Sequence, residues 1–227
     1  MEGNDVGYGT IAASGPNATT LHWVRNDGPV RPGDLLLLDA GVETTTLYTA
    51  DVTRTLPVSG RFTDVQRRVY DLVYAAQEAG IAEVRPGRPF RAYHDTAQRV
   101  LAEGLIEWGC WKGPWNACWN SACSAATPCT ALHMLGLDVH DCAVARTEAY
   151  VDGILQPGMV LTVEPGLYFQ PDDLTVPEEL RGIGVRIEDD ILVTPEVTAT
   201  CPRPCRALPR TSKRGWRNSC PAPHKSG

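Results

Sequence analysis

Four carboxylates and one imidazole in this chain sit where an ordinary core would place apolar side chains. The leucine run Leu35 to Leu38 leads straight into Asp39, and a second polar–apolar run that closes at Pro57 carries Asp51. His133 opens the stretch HMLGLDVHD at 133–141. Glu164 ends an apolar run within GILQPGMVLTVEPGLYF at 153–169, and Glu188 is central to GIGVRIEDDILVT at 182–194. Like charges disfavour one another, and five such groups buried without partners would be very costly. As strand-end turn residues, Asp39 and Asp51 would need no partner. As neighbours inside a fold they would need a shared cation, which removes the like-charge penalty. Two divalent cations would satisfy the whole set. Oxygen-rich ligation with one nitrogen suits manganese, cobalt, iron or zinc better than a structural thiolate site. Two metals about 3.5–4 Å apart can share a bridging hydroxide and polarise a carbonyl, chemistry that hydrolyses amide or ester bonds.

The elements that must position these groups follow from pattern. Two short strands across Leu35 to Pro57, joined by a tight connection, would bring Asp39 beside Asp51. VGYGTIAAS at 6–14 and TTLHWV at 19–24, which contains His22, read as strands. VSGRFTD at 58–64 is a loop that caps a helix, with Val65, Val69, Leu72, Val73 and Ala76 on one face and Gly80 as its stop. A second helix runs from about Ala92 to Glu103, with His94 on its surface. One strand ends at Glu164 and another is centred on Glu188. No internal repeat of solenoid period is present.

The 227 residues suffice for one good-sized core or two small domains. A net charge of -6 argues against a general nucleic-acid surface. No apolar run approaches bilayer length, and MEGNDVGYGT has neither the basic start nor the apolar core of a signal peptide. The expectation is a cytoplasmic protein. The eight cysteines do not read as a secreted framework, because seven of them crowd two segments and none occurs in the first 109 residues. None has the C-x2-C spacing of a zinc site.

Two segments break the pattern. From Trp108 to Leu137 there is no Asp or Glu, although the whole chain has 27. CWKGPWNACWNSACSAATPCTA has four Cys, three Trp and neither helical nor strand period. Read from the third base of each codon, every Trp or Cys yields Leu, Val or Met, and the Trp–Lys and Trp–Asn steps yield Glu. The result is an amphipathic helical pattern. Residues 110–131 therefore read as a frameshifted helix, expected as a loop or distorted helix, with the original frame resuming near His133. After Glu196 no acid occurs and seven Lys or Arg appear, so 197–227 reads as an aberrant basic tail, expected as coil.

The runs LLLDAG…ADVTRTLPVSGRFT, HMLGLDVHD, LTVEPGLYF and GVRIEDDILVT, in this order, resemble the pita-bread metallopeptidases, most of all bacterial Xaa-Pro aminopeptidases (aminopeptidase P). The similarity covers residues 3–109 and 132–196. It implies an α+β pita-bread (creatinase/aminopeptidase-like) fold, curved antiparallel sheets flanked by helices, with a catalytic domain over 1–196. It implies an enzyme that uses two divalent ions, manganese first and cobalt, zinc or iron as alternatives. The substrate implied is a peptide with proline in second position, whose N-terminal residue is released. No nucleic-acid or membrane partner is implied, and family members are often homo-oligomers. By position, Asp39 would chelate one metal, Asp51 and Glu188 would bridge both, and His133 and Glu164 would complete the second site. His140 resembles a histidine that stabilises the tetrahedral intermediate. His22 resembles one near the substrate carbonyl and leaving group, and Arg186 an arginine supporting the site. Taken alone, His22 reads more readily as a structural histidine, and Arg186 can be a strand-face charge paired with Glu188 or Asp190.

The chain departs from the family at three places. By the resemblance it is expected to start inside the catalytic domain, without the family's N-terminal domain. CTALHM stands where HGTGHM is expected, so Cys129–Thr130 occupies the place of the first family histidine. The final strand after Glu196 reads as lost. These departures lead to the expectation of an unstable product with weak activity or none. Prolidase, acting on Xaa-Pro dipeptides, and a catalytically dead peptidase-like binding module are the competing readings.

Overall fold

A strand buries every second side chain, and the leucine run does so. In the computed structural model of the chain, Leu35–Ala40 (β3) turns Leu35, Leu37 and Asp39 inward and leaves Leu38 exposed. The structure describes residues 3–111, 133–141 and 144–195, with the backbone alone at 129–131 and 199–200. β3 is the middle of a three-stranded antiparallel sheet between Ile11–Ser14 (β2) and Val52–Pro57 (β5). The register sets Asp39 opposite Thr53 on one side and Ile11 on the other. The connection between β3 and β5 is longer than the tight turn expected. It carries Val42–Thr44 (β4), which pairs with Gly3–Val6 (β1) in a separate two-stranded sheet.

Two sequence-predicted strands are revised. The strand expected over 6–14 is interrupted at 7–10, between β1 and β2. TTLHWV is not a strand: Gly15–Thr19 forms a short 3-10 helix and the following residues form turns. The edge of β2 that such a strand would pair is filled by one side chain. Asn26 accepts a hydrogen bond from the Ala12 N–H at 2.6 Å and donates to the Thr10 carbonyl at 2.7 Å. Pro16, which has no N–H for a ladder, favours the helical turn instead.

A second antiparallel sheet is built around Val160–Tyr168 (β7). Cys129–Ala131 (β6) pairs with it on one edge, and Gly184–Arg186 (β8) and Asp189–Leu192 (β9) on the other. Ala199–Thr200 (β10) pairs with β9. β7 does not end at Glu164 but continues to Tyr168. The strand expected at 182–194 is split at Ile187–Glu188, while both halves keep one register against β7: Gly166 faces Arg186 and Val163 faces Asp189. Of the anomalous segments, residues 112–128, 197–198 and 201–227 lie outside the described residues. Cys129–Ala131 is a strand rather than part of a loop or distorted helix, and Ala199–Thr200 is paired rather than coil. Cys110 and Trp111 pack half-buried against the core.

Asp64–Glu83 (α1) and Arg91–Glu107 (α2) cover these sheets. Thr63 caps α1 reciprocally with Gln66: each side chain accepts a hydrogen bond from the other's backbone N–H. Val69, Val73 and Ala76 are buried, and Val65 and Leu72 pack against the same core. Gly80 does not stop the helix. It is buried inside α1, where a Cβ would stand 3.1 Å from Val163 Cγ1 and 3.3 Å from the Tyr93 carbonyl oxygen. The helix needs a small residue there to approach β7 and α2, and it ends before Pro86, a residue that disfavours helix just ahead of it. His94 is half-buried in α2 rather than on its surface. One apolar core joins α1, α2, β7 and β8 through Leu101, Leu105, Leu167 and Val185; another gathers Phe90, Tyr93, Leu161 and Ile191. Among the described residues no helix is long and apolar enough to cross a membrane. Thr63→Ala removes one half of the reciprocal cap and is expected to cost about 1 kcal/mol. It should appear as a lower urea midpoint at unchanged slope; an unchanged midpoint would deny the cap its role.

Candidate metal centre

Each of the five predicted ligand residues owes its place to a strand end or a strand break. Asp39 lies on the inward face near the end of β3, directly opposite Thr53, and Asp51 immediately precedes β5. Glu164 and Glu188 fall where β7 passes from β9 to β8, at the interruption between those two strands. His133 follows β6, and its backbone carbonyl accepts from the Thr162 N–H at 3.2 Å.

These positions make the side chains converge. His133 Nε2 is 3.2 Å from Glu164 Oε1 and 3.6 Å from Asp51 Oδ2. One donor atom each from Asp51, His133 and Glu188 lie within 4.8 Å of one another. Asp39 joins through Tyr8, whose hydroxyl bonds to Oδ1 of both Asp39 and Asp51. His133 Nδ1 faces the Met134 carbonyl at 3.1 Å, so a proton there leaves the Nε2 lone pair directed at the carboxylates. Arg186, 2% exposed, donates to Asp39 Oδ2 at 2.5 Å, to the Tyr168 hydroxyl at 2.8 Å and to Thr53 Oγ1 at 3.1 Å. It pairs with Asp39 across the sheets, not with Glu188 or Asp190 of its own strand. His140 is exposed, with its ring edge-on to that of His133 at a centroid separation of 4.5 Å. His22 is exposed in the turn after the 3-10 helix and is not brought into the cluster, although its charge bears on His140.

The crowding changes proton affinities. Burial raises Asp51 to about 6, aided by Asp39 and Glu164 and opposed by the Tyr8 hydrogen bond. Burial, then the charges of Glu164, Asp51 and Asp39, pushes Glu188 well above the usual carboxylate range. Asp190, whose Oδ2 accepts from the Asp51 N–H at 3.2 Å, is raised to about 7, chiefly by burial. Burial pulls His133 down, but the hydrogen bond and charge of Glu164 outweigh it and the net direction is up. Burial and the neighbouring His133 lower His140. Burial and the bonds to Asp39 and Asp51 keep Tyr8 protonated.

A divalent cation fits this donor set. Glu188 Oε2 accepts from Thr53 Oγ1 at 2.6 Å, while its Oε1 is buried with no hydrogen-bond partner. Hard oxygen donors with one imidazole nitrogen match manganese, iron, cobalt or zinc, and a cation would offset the burial and like-charge costs that raise Asp51 and Glu188. Tyr8, Thr53 and Asp190 were not anticipated. The Gly7–Tyr8–Gly9 sequence was the available sign, since paired glycines interrupt a strand and free the residue between them. Gly41 makes room for it: a Cβ there would stand 1.9 Å from the Ala50 carbonyl oxygen and 2.5 Å from Tyr8 Cε1.

The sequence pattern that defines metallopeptidase family M24 matches residues 1–195. The chain belongs to this family. It is 69% identical over 195 residues to "Xaa-Pro aminopeptidase 1" of Streptomyces coelicolor, covering 86% of this chain and 40% of that protein. It is 45% identical over 190 residues to the Xaa-Pro aminopeptidase of Escherichia coli, covering 82% of this chain and 42% of that protein. Among solved structures, E. coli aminopeptidase P with the inhibitor Pro-Leu superposes with a TM-score of 0.79 at 42% identity, over 87% of this chain and 44% of the other. Pseudomonas aeruginosa aminopeptidase PepP gives 0.80 at 39%, over 87% and 45%. The fold is accordingly the α+β pita-bread fold. The chain spans less than half the length of these relatives.

The raised carboxyls set the pH dependence of the metal-free chain. Asp51 and Asp190 move from an ordinary 3.8 to about 6 and about 7. Between about pH 4 and pH 7 the folded chain therefore holds protons that the unfolded chain has released, so stability falls as pH rises through that window. The raised His133 acts in the same direction. Chelator-treated protein should melt at a higher temperature at pH 5.5 than at pH 8. A higher melting temperature at pH 8 would show that the carboxyls are not crowded as described.

Proposed function

We propose that this chain carries the catalytic unit of a metallo-aminopeptidase that releases the N-terminal residue from peptides with proline in second position. The observation that carries this reading is the clustering of Asp51, His133 and Glu188, with Glu164 against His133 and Asp39 joined through Tyr8, in a chain of family M24. Asp39 would serve one ion, Asp51 and Glu188 both, and His133 and Glu164 the other. Bound there, two divalent ions supply Lewis acidity and an activated water for hydrolysis of the Xaa–Pro amide. The donor set supports manganese, with cobalt, zinc or iron as substitutes.

The chain's own residues prepare the site. Arg186 holds Asp39 Oδ2 and fixes the plane of that carboxylate. Tyr8 remains a neutral donor between Asp39 and Asp51. His140, exposed, edge-on to the His133 ring and held toward its neutral form, would meet a substrate oxygen. His22, which the structure leaves outside the cluster, would act near the leaving group only by the resemblance. The free Cys110 thiol suits a reducing compartment such as the cytoplasm.

The purified chain should take up two manganese ions per molecule at pH 7.5, and Asp51→Asn or Glu188→Gln should retain at most one. Because ligands bind deprotonated, uptake should be lost by pH 4. A Xaa-Pro tripeptide should be cleaved slowly, since Cys129–Thr130 replaces the motif's first histidine, and faster than a Xaa-Pro dipeptide. Preference for the dipeptide would favour a prolidase. Two-ion uptake without cleavage of either would favour a binding module, and no uptake would defeat the metal reading.

A further inference from the structure

Glu188 is the most deeply buried of the five, at 1% exposure, yet it sits in the interruption between β8 and β9. Two consecutive residues of β5 hold it in place. Thr53 accepts the Glu188 N–H on its carbonyl at 3.1 Å and donates its hydroxyl to the carboxylate. Arg54, whose neighbours on β5 point inward, reaches around the strand. Its Nη1 donates to the Thr53 carbonyl at 2.9 Å and to the Glu188 carbonyl at 2.5 Å. Its Nη2 binds Asp189 Oδ1 at 2.5 Å, with 18% and 20% of the two side chains exposed. The other Asp189 oxygen accepts from Gln77 Nε2 of α1 at 3.1 Å, and Gln77 is itself 1% exposed. One planar fork thus joins β5, the backbone of Glu188, the adjacent carboxylate and, through Gln77, the helix. Only a guanidinium presents several donors in that fixed geometry.

We propose that Arg54, with Asp189 and Gln77 behind it, is the positioning group that fixes Glu188 for cation binding. The inference rests on the metal reading given above. Arg54 does not touch the pocket; it acts by holding the backbone of a ligand residue that lacks the support of a continuous strand. A group of this kind changes metal affinity out of proportion to its effect on folding, because ligand orientation sets affinity.

The test is calorimetric titration of manganese into the chelator-treated full chain and three variants, paired with thermal unfolding of each. Arg54→Gln removes the fork, and Asp189→Asn keeps the shape while removing the ion pair. Val69→Ala, in the α1 core, lowers stability without touching this network. Arg54→Gln and Asp189→Asn should bind manganese about tenfold more weakly, while Val69→Ala lowers the melting temperature and leaves affinity unchanged. If Arg54→Gln does not fold, Asp189→Asn decides. Unchanged affinity in folded Arg54 and Asp189 variants would overturn the proposal alone, and an equal loss in Val69→Ala would do the same by showing a general effect of instability. Failure of the unsubstituted chain to bind manganese would overturn the metal reading and this inference with it.

Discussion

Repulsion among buried carboxylates is the constraint on which the rest of this structure depends. Asp39, Asp51, Glu164, Glu188 and Asp190 share one poorly solvated region, and burial first, with their mutual repulsion added to it, raises the proton affinities of Asp51, Glu188 and Asp190. Among the described residues, the positive groups facing them are Arg186, bound to Asp39, and His133, set between Asp51 and Glu164. Burying charge without compensation costs several kcal/mol for each ion. A fold that keeps such a cluster therefore has to hold it rigidly and gains stability from anything cationic that enters it.

The backbone meets that demand with interrupted strands. β8 and β9 share one register against β7, so the gap at Ile187–Glu188 is a local departure within an otherwise regular ladder. Glu164 lies at the corresponding point of β7, which brings two carboxylates face to face. Thr53 and Thr55 then stitch β5 to this edge through side chains: Thr55 Oγ1 donates to the Arg186 carbonyl at 2.9 Å and accepts the Arg186 N–H at 3.2 Å. Beside the carboxylate cluster the two sheets are joined by hydroxyl and guanidinium bonds and one backbone bond, from the Glu188 N–H to the Thr53 carbonyl, rather than by a continuous ladder.

Much of this was legible in the sequence wherever local pattern and tertiary demand agree. The Leu35–Asp39 strand, the capped helix after Thr63 and the carboxylates within apolar runs were each readable from residue type and spacing. The misreadings came where long-range contacts override local pattern. Gly80 reads as a helix stop, but it is the contact point of α1 with β7 and α2. TTLHWV has strand composition, but Asn26 already occupies the edge it would pair with. The break at Glu188 leaves no local mark, since GVRIEDDILVT is a good strand throughout; only the pairing with β7 and the grip of Thr53 and Arg54 reveal it. Tyr8 was hidden for a related reason, because its partners lie 31 and 43 residues away.

On the function proposed, Asp39, Asp51, His133, Glu164 and Glu188 form one dinuclear centre, not scattered acids beside a histidine. Electron paramagnetic resonance of the chain loaded with manganese tests it directly. Two ions about 4 Å apart and bridged by shared carboxylates should give an exchange-coupled spectrum that grows in as the second equivalent is added and disappears in Glu188→Gln. The spectrum of isolated manganese at every loading, from one equivalent to saturation, would contradict the account.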